Sequence, residues 1–265
     1  MWGFVEHSKA QYVILSNCDV VTTIDFNPVL RQHQETGADI TLIYKKSHYD
    51  CEKDKCSTIL EFGDDNTIND VLVAPQISGE CNQWLDMLII NKDFLRKIVF
   101  DASSRNLYSF TREILQNKNS EYKIMGYEHK DFFVRIDSKD NYYHANMMLL
   151  DTETRNSLFK KNMPVFTKVG DNAPALYGLE SNIKNSLIAD GCIVEGTVEN
   201  SIIFRGVKIG KDTVVKDSII MQGTKIGNNC SISSVIMDKN VEVSDEGVLT
   251  GTKNCPFYVD KNSKI

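Results

Sequence analysis

Thiols and imidazoles are the side chains of this 265-residue chain best suited to nucleophilic, redox or metal chemistry, and it has seven Cys and five His. The cysteines, at 18, 51, 56, 81, 192, 230 and 255, are odd in number and scattered, which reads as free thiols in a reducing cytoplasm. Cys51 and Cys56 have CxxxxC spacing, but a structural zinc needs four ligands and no second pair lies nearby. Asp19 follows the short apolar run Tyr12–Leu15, where a carboxylate can cap a turn at a strand end. Arg135 and Asp137 stand two residues apart on another short run and form a candidate ion pair, as do Arg135 and Asp19. Lys160 and Lys161, between Phe159 and Asn162, read as a solvated face, with an anionic effector as the alternative. The net charge of −6 and the lack of a basic stripe argue against a nucleic-acid binder.

The elements that must position these residues change character along the chain. Over 1–150 strands alternate with helices. Tyr12–Leu15, Ala38–Tyr44, Trp84–Ile90 and Phe132–Ile136 read as strands, and Thr58–Phe62 and Thr67–Val73 as a hairpin around Asp64-Asp65-Asn66. Asn27 as N-cap with Pro28 in first position predicts a helix ending at Gly37. Further helices are expected over Asp93–Phe100, Leu107–Asn117 and Asn141–Leu150, and over 1–10 with Phe4 and Val5 facing the sheet. This order implies a largely parallel sheet covered by helices. Residues 151–175, with Pro164 and Pro174, read as a connecting arm. No apolar run reaches membrane-spanning length, and MWGFVEHSKAQ lacks the pattern of a signal peptide, so a cytoplasmic protein without membrane contact is expected.

From 176 to 265 the texture is a short repeat. Ser186-Leu187-Ile188-Ala189, Ser201-Ile202-Ile203-Phe204, Ser218-Ile219-Ile220-Met221 and Ser234-Val235-Ile236-Met237 align at spacings of 15, 17 and 16. Apolar residues recur at every sixth position through Ile203, Ile209, Val215 and Met221, slip by one, and resume at Ile226 and Ile232. Gly206, Gly210, Gly223 and Gly227 fall at expected corners. Ile209-Gly210 and Ile226-Gly227 resemble the hexapeptide pattern of a left-handed parallel β-helix, in which three short strands per coil each point one aliphatic side chain inward. Such a solenoid serves first as a scaffold or assembly surface. It is also similar to the hexapeptide acyltransferases, but their base is a His on or beside the coil. His7, His33, His48, His129 and His144 all lie outside the repeats.

A more specific resemblance covers essentially the whole chain. Tyr12–Phe26 (YVILSNCDVVTTIDF) resembles YVVILAGDHIYKMDY of the glucose-1-phosphate adenylyltransferase (ADP-glucose pyrophosphorylase) family, and Asp140–Asn146 resembles its DAYWEAN. The resemblance implies a nucleotidyltransferase-like α/β domain at 1–150, the arm at 151–175 and the β-helix at 176–265. It places the family's Mg²⁺-binding Asp at Asp19.

Several family positions differ here. Against YWRDVGT, Arg135 stands where the second metal ligand would be, and a guanidinium repels Mg²⁺ where a carboxylate oxygen would bind it. Asp137 is the one neighbouring carboxylate that could compensate. Against FVEKP, Ala74 replaces the Lys that holds the sugar phosphate, and Val73 replaces the Glu. Against SMGIYVF, Trp84 and Asp86 replace small residues and would crowd or repel a sugar phosphate. Against DFGKD, Phe110 is kept as a substrate-binding residue and Ser109 replaces the first Asp. Phosphoryl chemistry relies on cations to offset developing charge. Losing the ligand and the Lys together should cost several kcal/mol, on the order of thousands-fold in rate.

The resemblance is therefore to the non-catalytic, regulatory-type bacterial subunit. That subunit pairs with a catalytic adenylyltransferase subunit in a hetero-oligomer to make ADP-glucose for glycogen. The alternatives are an adenylyltransferase that is catalytically competent in its full-length form using Asp19 and Asp137, a homo-oligomer, and a non-enzymatic scaffold. The family's opening GGxGTRL-type loop has no counterpart here, since Gly3 is followed next by Gly37. The chain thus resembles a family member lacking its N-terminal part, a fragment rather than a natural short form. Open sheet edges are expected to make it poorly soluble or oligomeric.

Overall fold

The computed structural model describes residues 2–52, 57–117, 121–167 and 170–265. They form two compact units, Met1–Asp131 and Phe132–Ile265.

The first unit runs α1 (Trp2–His7), β1 (Tyr12–Ser16), β2 (Val20–Thr22), α2 (Phe26–Thr36), β3 (Ile40–Asp50), β4 (Thr58–Phe62), β5 (Ile68–Val73), β6 (Ser78–Asn91), α3 (Lys92–Ser104), a π-helix (Phe110–Gln116) and β7 (Ile124–Glu128). Helix α1 is under two turns long, too short to bury a face, and Phe4 is 84% exposed rather than packed on the sheet. Helix α2 begins two residues earlier than Asn27 suggests. Asp25 is the N-cap and its carboxylate accepts from Asn27 N at 2.9 Å. Pro28 then sits in the first turn, where the missing N–H has no intrahelical partner to lose. Gly37, in the left-handed region, closes the helix.

The sheet is mostly antiparallel, which corrects the parallel expectation. Its order is β5-β4-β6-β3-β7, with β1 also paired to β6. Only β3 and β7 run parallel; β6 is antiparallel to β1, β3 and β4, and β4 to β5. The reason is connection length. A parallel crossover needs a dozen or more residues. The link from β4 to β5 is a tight turn through Asp65 and Asn66 at positive φ, and the link from β5 to β6 spans residues 74–77. Ile40, Leu42, Leu60, Val71, Leu88, Ile90, Leu95, Ile98, Leu115 and Ile124 form the core of this unit, with Trp84 buried among them.

The second unit opens with β8 (Phe133–Arg135), α4 (Lys139–Met148) and α5 (Thr152–Leu158). Three parallel sheets of five short strands follow, each stacked in strict chain order, which is the left-handed β-helix expected from the repeats. Interior side chains form columns: Val194, Ile209, Ile226 and Val243; Val198, Val215 and Ile232; Ile203, Ile220, Met237 and Val259. Ser201 Oγ accepts from Ser218 N, and Ser218 Oγ from Val235 N, both at 3.1 Å, so buried hydroxyls tie one coil to the next.

The register refines the repeat. Ile203, Ile220 and Met237 align, so the mature period is seventeen residues, taken as steps of six, six and five. Met221 consequently points outward, and the interior phase slips one residue before it. Ser234 pairs in position with Asp217 rather than Ser218, and both have positive φ. The fifteen-residue spacing has a local cause. Two residues, Glu195 and Gly196, link the paired strands of one coil where residues 178–181 and 210–213 do so in its neighbours. The outward residues Ile219 and Ile236 are buried because Tyr143, Tyr142 and Met147 of α4 cover them.

The shortened corner depends on glycine. A Cβ on Gly196 would lie 2.2 Å from Thr213 O and 2.8 Å from Gly210 O, both backbone atoms. Gly206 has open space around it but φ +68. Gly196→Ala should therefore cost about 2–3 kcal/mol through overpacking, and Gly206→Ala only about 1 kcal/mol through backbone strain. Urea unfolding followed by far-UV circular dichroism checks the order of the two midpoints.

Candidate functional site

Asp19 lies in the bend between β1 and β2 and is half-buried. The bend is anchored from β6. Asn17 N donates to Asp86 O at 3.1 Å, continuing the β1–β6 ladder beyond Ser16–Met87. Against β3, however, the register of β6 jumps from Met87 to Trp84, so Leu85 and Asp86 bulge out of that pairing. Asp86 takes φ +53, a conformation that glycine adopts without strain. The substitution seen in the sequence is thus accommodated as a left-handed bulge. Trp84 is turned into the core, where its indole N–H donates to Met87 O at 3.0 Å, so it does not crowd a ligand.

Ala74 ends β5 at φ +49, and its N–H donates to Ser57 O at 3.0 Å. The next carbonyl, of Pro75, accepts from the buried Tyr49 hydroxyl at 3.1 Å. Gln116 Nε2 donates to Val71 O at 2.8 Å and ties the π-helix to β5. Phe110 opens that π-helix, with Ser109 as its N-cap. Its ring packs on the core and lines an apolar cavity of about 330 Å³ with Ile98, Val99, Tyr108 and Ile114, which includes neither Asp19 nor Ala74.

Sequence reasoning passed over a polar pocket of about 390 Å³ in the same unit, lined by Asp25, Pro28, Tyr127, Glu128 and His129. His129 is buried, and its Nε2 lies 2.9 Å from Thr22 Oγ1. Lys45 Nζ donates to the carbonyls of Lys130 and Asp131. Burial holds the Lys45 amine below its ordinary pKa, opposed by Asp131 and Glu128. Contacts of β7 with β3 and α2, all distant in the chain, bring these residues together, so spacing gave no signal.

In the second unit Arg135 ends β8 and is buried. Asp137 lies beyond the strand end, exposed, and its Oδ1 accepts from Asn141 Nδ2 at 2.6 Å. His144 sits on α4 beside the solenoid corners that carry Asn185, Asn200 and Asp217. A count of histidines within the repeats alone missed it. Cys56 lies outside the described residues, and the other six cysteines are free thiols.

Residues 175–254 match the family model for a GlmU-like C-terminal hexapeptide domain. Over 97% of its length the chain is 33% identical to "Glycogen biosynthesis protein GlgD" of Bacillus subtilis (strain 168) and 34% identical to the protein of that name from Geobacillus stearothermophilus. Over 80% of its length it is 28% identical to "Glucose-1-phosphate adenylyltransferase" of Mycoplasma mobile. The chain is thus similar over nearly its whole length to GlgD proteins and over most of it to glucose-1-phosphate adenylyltransferases. It spans 65% and 64% of the two GlgD proteins and 56% of the Mycoplasma enzyme.

Adenylyltransferase chemistry raises the question of Mg²⁺. Among the described residues no group of three or more His, Cys, Asp and Glu side chains converges on a point that could hold a metal ion. Asp137 is engaged by Asn141, and the family's phosphate-binding Lys position carries the Ala74 methyl. The described residues therefore do not fit a Mg²⁺ centre.

The bulge at Asp86 makes a direct prediction. Asp86→Ala and Asp86→Gly both remove the carboxylate, so their difference isolates the backbone. The Gly variant should be the more stable by about 1 kcal/mol, read from urea midpoints by Trp84 fluorescence.

Proposed function

We propose that this chain is a non-catalytic, regulatory-type partner of a catalytic glucose-1-phosphate adenylyltransferase, acting in a cytoplasmic hetero-oligomer that makes ADP-glucose for glycogen. The observation that carries the reading is the pair Ala74 and Arg135. At the two positions where the family's motifs place a phosphate-binding Lys and a metal-binding carboxylate, this chain has a methyl group and a buried guanidinium. A buried positive charge opposes Mg²⁺, and a methyl group offers a sugar phosphate nothing. Mg²⁺ is therefore held poorly by this chain. Its similarity over 97% of its length to proteins named for glycogen biosynthesis supports the pathway. The solenoid supplies extended surface for assembly.

The test is to add the chain to a purified catalytic subunit from the same organism and follow ADP-glucose formation from ATP and glucose 1-phosphate. A changed rate or substrate affinity, together with a joint native mass, is the expected result. Unchanged rate, affinity and native mass would overturn the proposal.

A further inference from the structure

Among the described residues the solenoid repeats three kinds of left-handed corner, and they are filled differently. At one, Gly191, Gly206 and Gly223 succeed one another, with φ between +68 and +74, before Asn240 takes the same place. At another, Asn185, Asn200, Asp217 and Ser234 hold φ between +44 and +53 in consecutive coils, and at the third Asp212, Asn229 and Glu246 hold φ between +55 and +63, with no glycine in either series. Glycine would adopt this backbone without strain, whereas a side chain costs about 1 kcal/mol or more at each position.

The side chains of the Asn185 series, Ser234 excepted, form one wall of a groove of about 580 Å³. Asn185, Asn200 and Asp217 stand on it, spaced by the coil repeat of about 4.8 Å. The opposite wall comes from the end of α4 and the turn after it, with His144, Met147 and Thr152. Asn185 Nδ2 donates to Asn200 Oδ1 at 2.8 Å, which fixes both amides and leaves the Asn200 amino group directed to no described residue. Tyr143 beneath the groove donates its hydroxyl to Asp217 O at 2.7 Å. Lys253 lies 3.6 Å from the Asp217 carboxylate, so the wall's lysine is already neutralised.

We infer that this groove binds a neutral oligosaccharide chain. Fixed amides can donate to one sugar hydroxyl and accept from the next. Their repeat is comparable to the length of one pyranose ring, and the exposed His144 ring and Met147 offer apolar surface to the sugar's C–H face. A phosphate ligand would need an unopposed cation that the wall does not present. The inference rests on the groove and is independent of the proposed regulatory role.

The test is titration of the full chain with maltoheptaose and, separately, with cellohexaose, by calorimetry and saturation-transfer NMR. Saturable binding of either is expected. Asn200→Gly keeps the left-handed backbone and removes the amide, so it should fold at least as stably and bind about fivefold more weakly. His144→Ala should also weaken binding. Three results would overturn the inference: no saturable binding of either chain, equal affinity in both variants, or displacement of the sugar by inorganic phosphate.

Discussion

Strand β6 needs hydrogen-bond partners along both edges of its fourteen residues, and the first unit is arranged around that need. One edge is served throughout by β3, apart from the bulge; the other is shared, with β4 at Gln83 and β1 from Met87 to Asn91. A strand that changes partner along its length must bend where the change occurs, and Leu85-Asp86 is that place. The bulge turns Trp84 into the core and offers the Asp86 carbonyl to Asn17, which holds the bend bearing Asp19. The placement of the bend bearing Asp19 thus follows from sheet pairing.

The second unit satisfies its backbone differently. Each short strand donates to the coil beside it, the interior is filled by one aliphatic column per face, and hydroxyls of Ser201 and Ser218 bind the corners. Ion pairs line the outside: Glu199 lies between Lys184 and Lys216, and Glu242 between Lys225 and Lys264. Both carboxyls are held below their usual pKa by hydrogen bonds and charge from those lysines, but both sit in solvent and add little stability. Rigidity comes from the interior columns, which leaves the outer surface and the corners open to carry binding groups.

Local chemistry was legible in the sequence, and pairing was not. The β4–β5 hairpin followed from an Asp-Asn turn whose residues do take positive φ, and the solenoid followed from its aliphatic period. The start of α2 was misplaced by two residues because Asp25 and Asn27 are both good caps, and Pro28 is tolerated anywhere in the first turn. The parallel sheet was misjudged because alternation of strand and helix says nothing about which strands meet. Met221 was placed inside because a strict six-residue step ignores the five-residue step that closes each coil. His144 and His129 gained their surroundings from elements distant in the chain, a signal that spacing cannot contain.

On the proposed reading, Ala74 and Arg135 stand where catalysis would need a phosphate-binding Lys and a metal-binding carboxylate. The decisive experiment is Mg²⁺-dependent formation of ADP-glucose from ATP and glucose 1-phosphate by the purified full-length protein without a partner subunit. No turnover above the buffer blank is expected, with or without Mg²⁺. Turnover that requires Mg²⁺ and disappears in Asp19→Ala would contradict that reading.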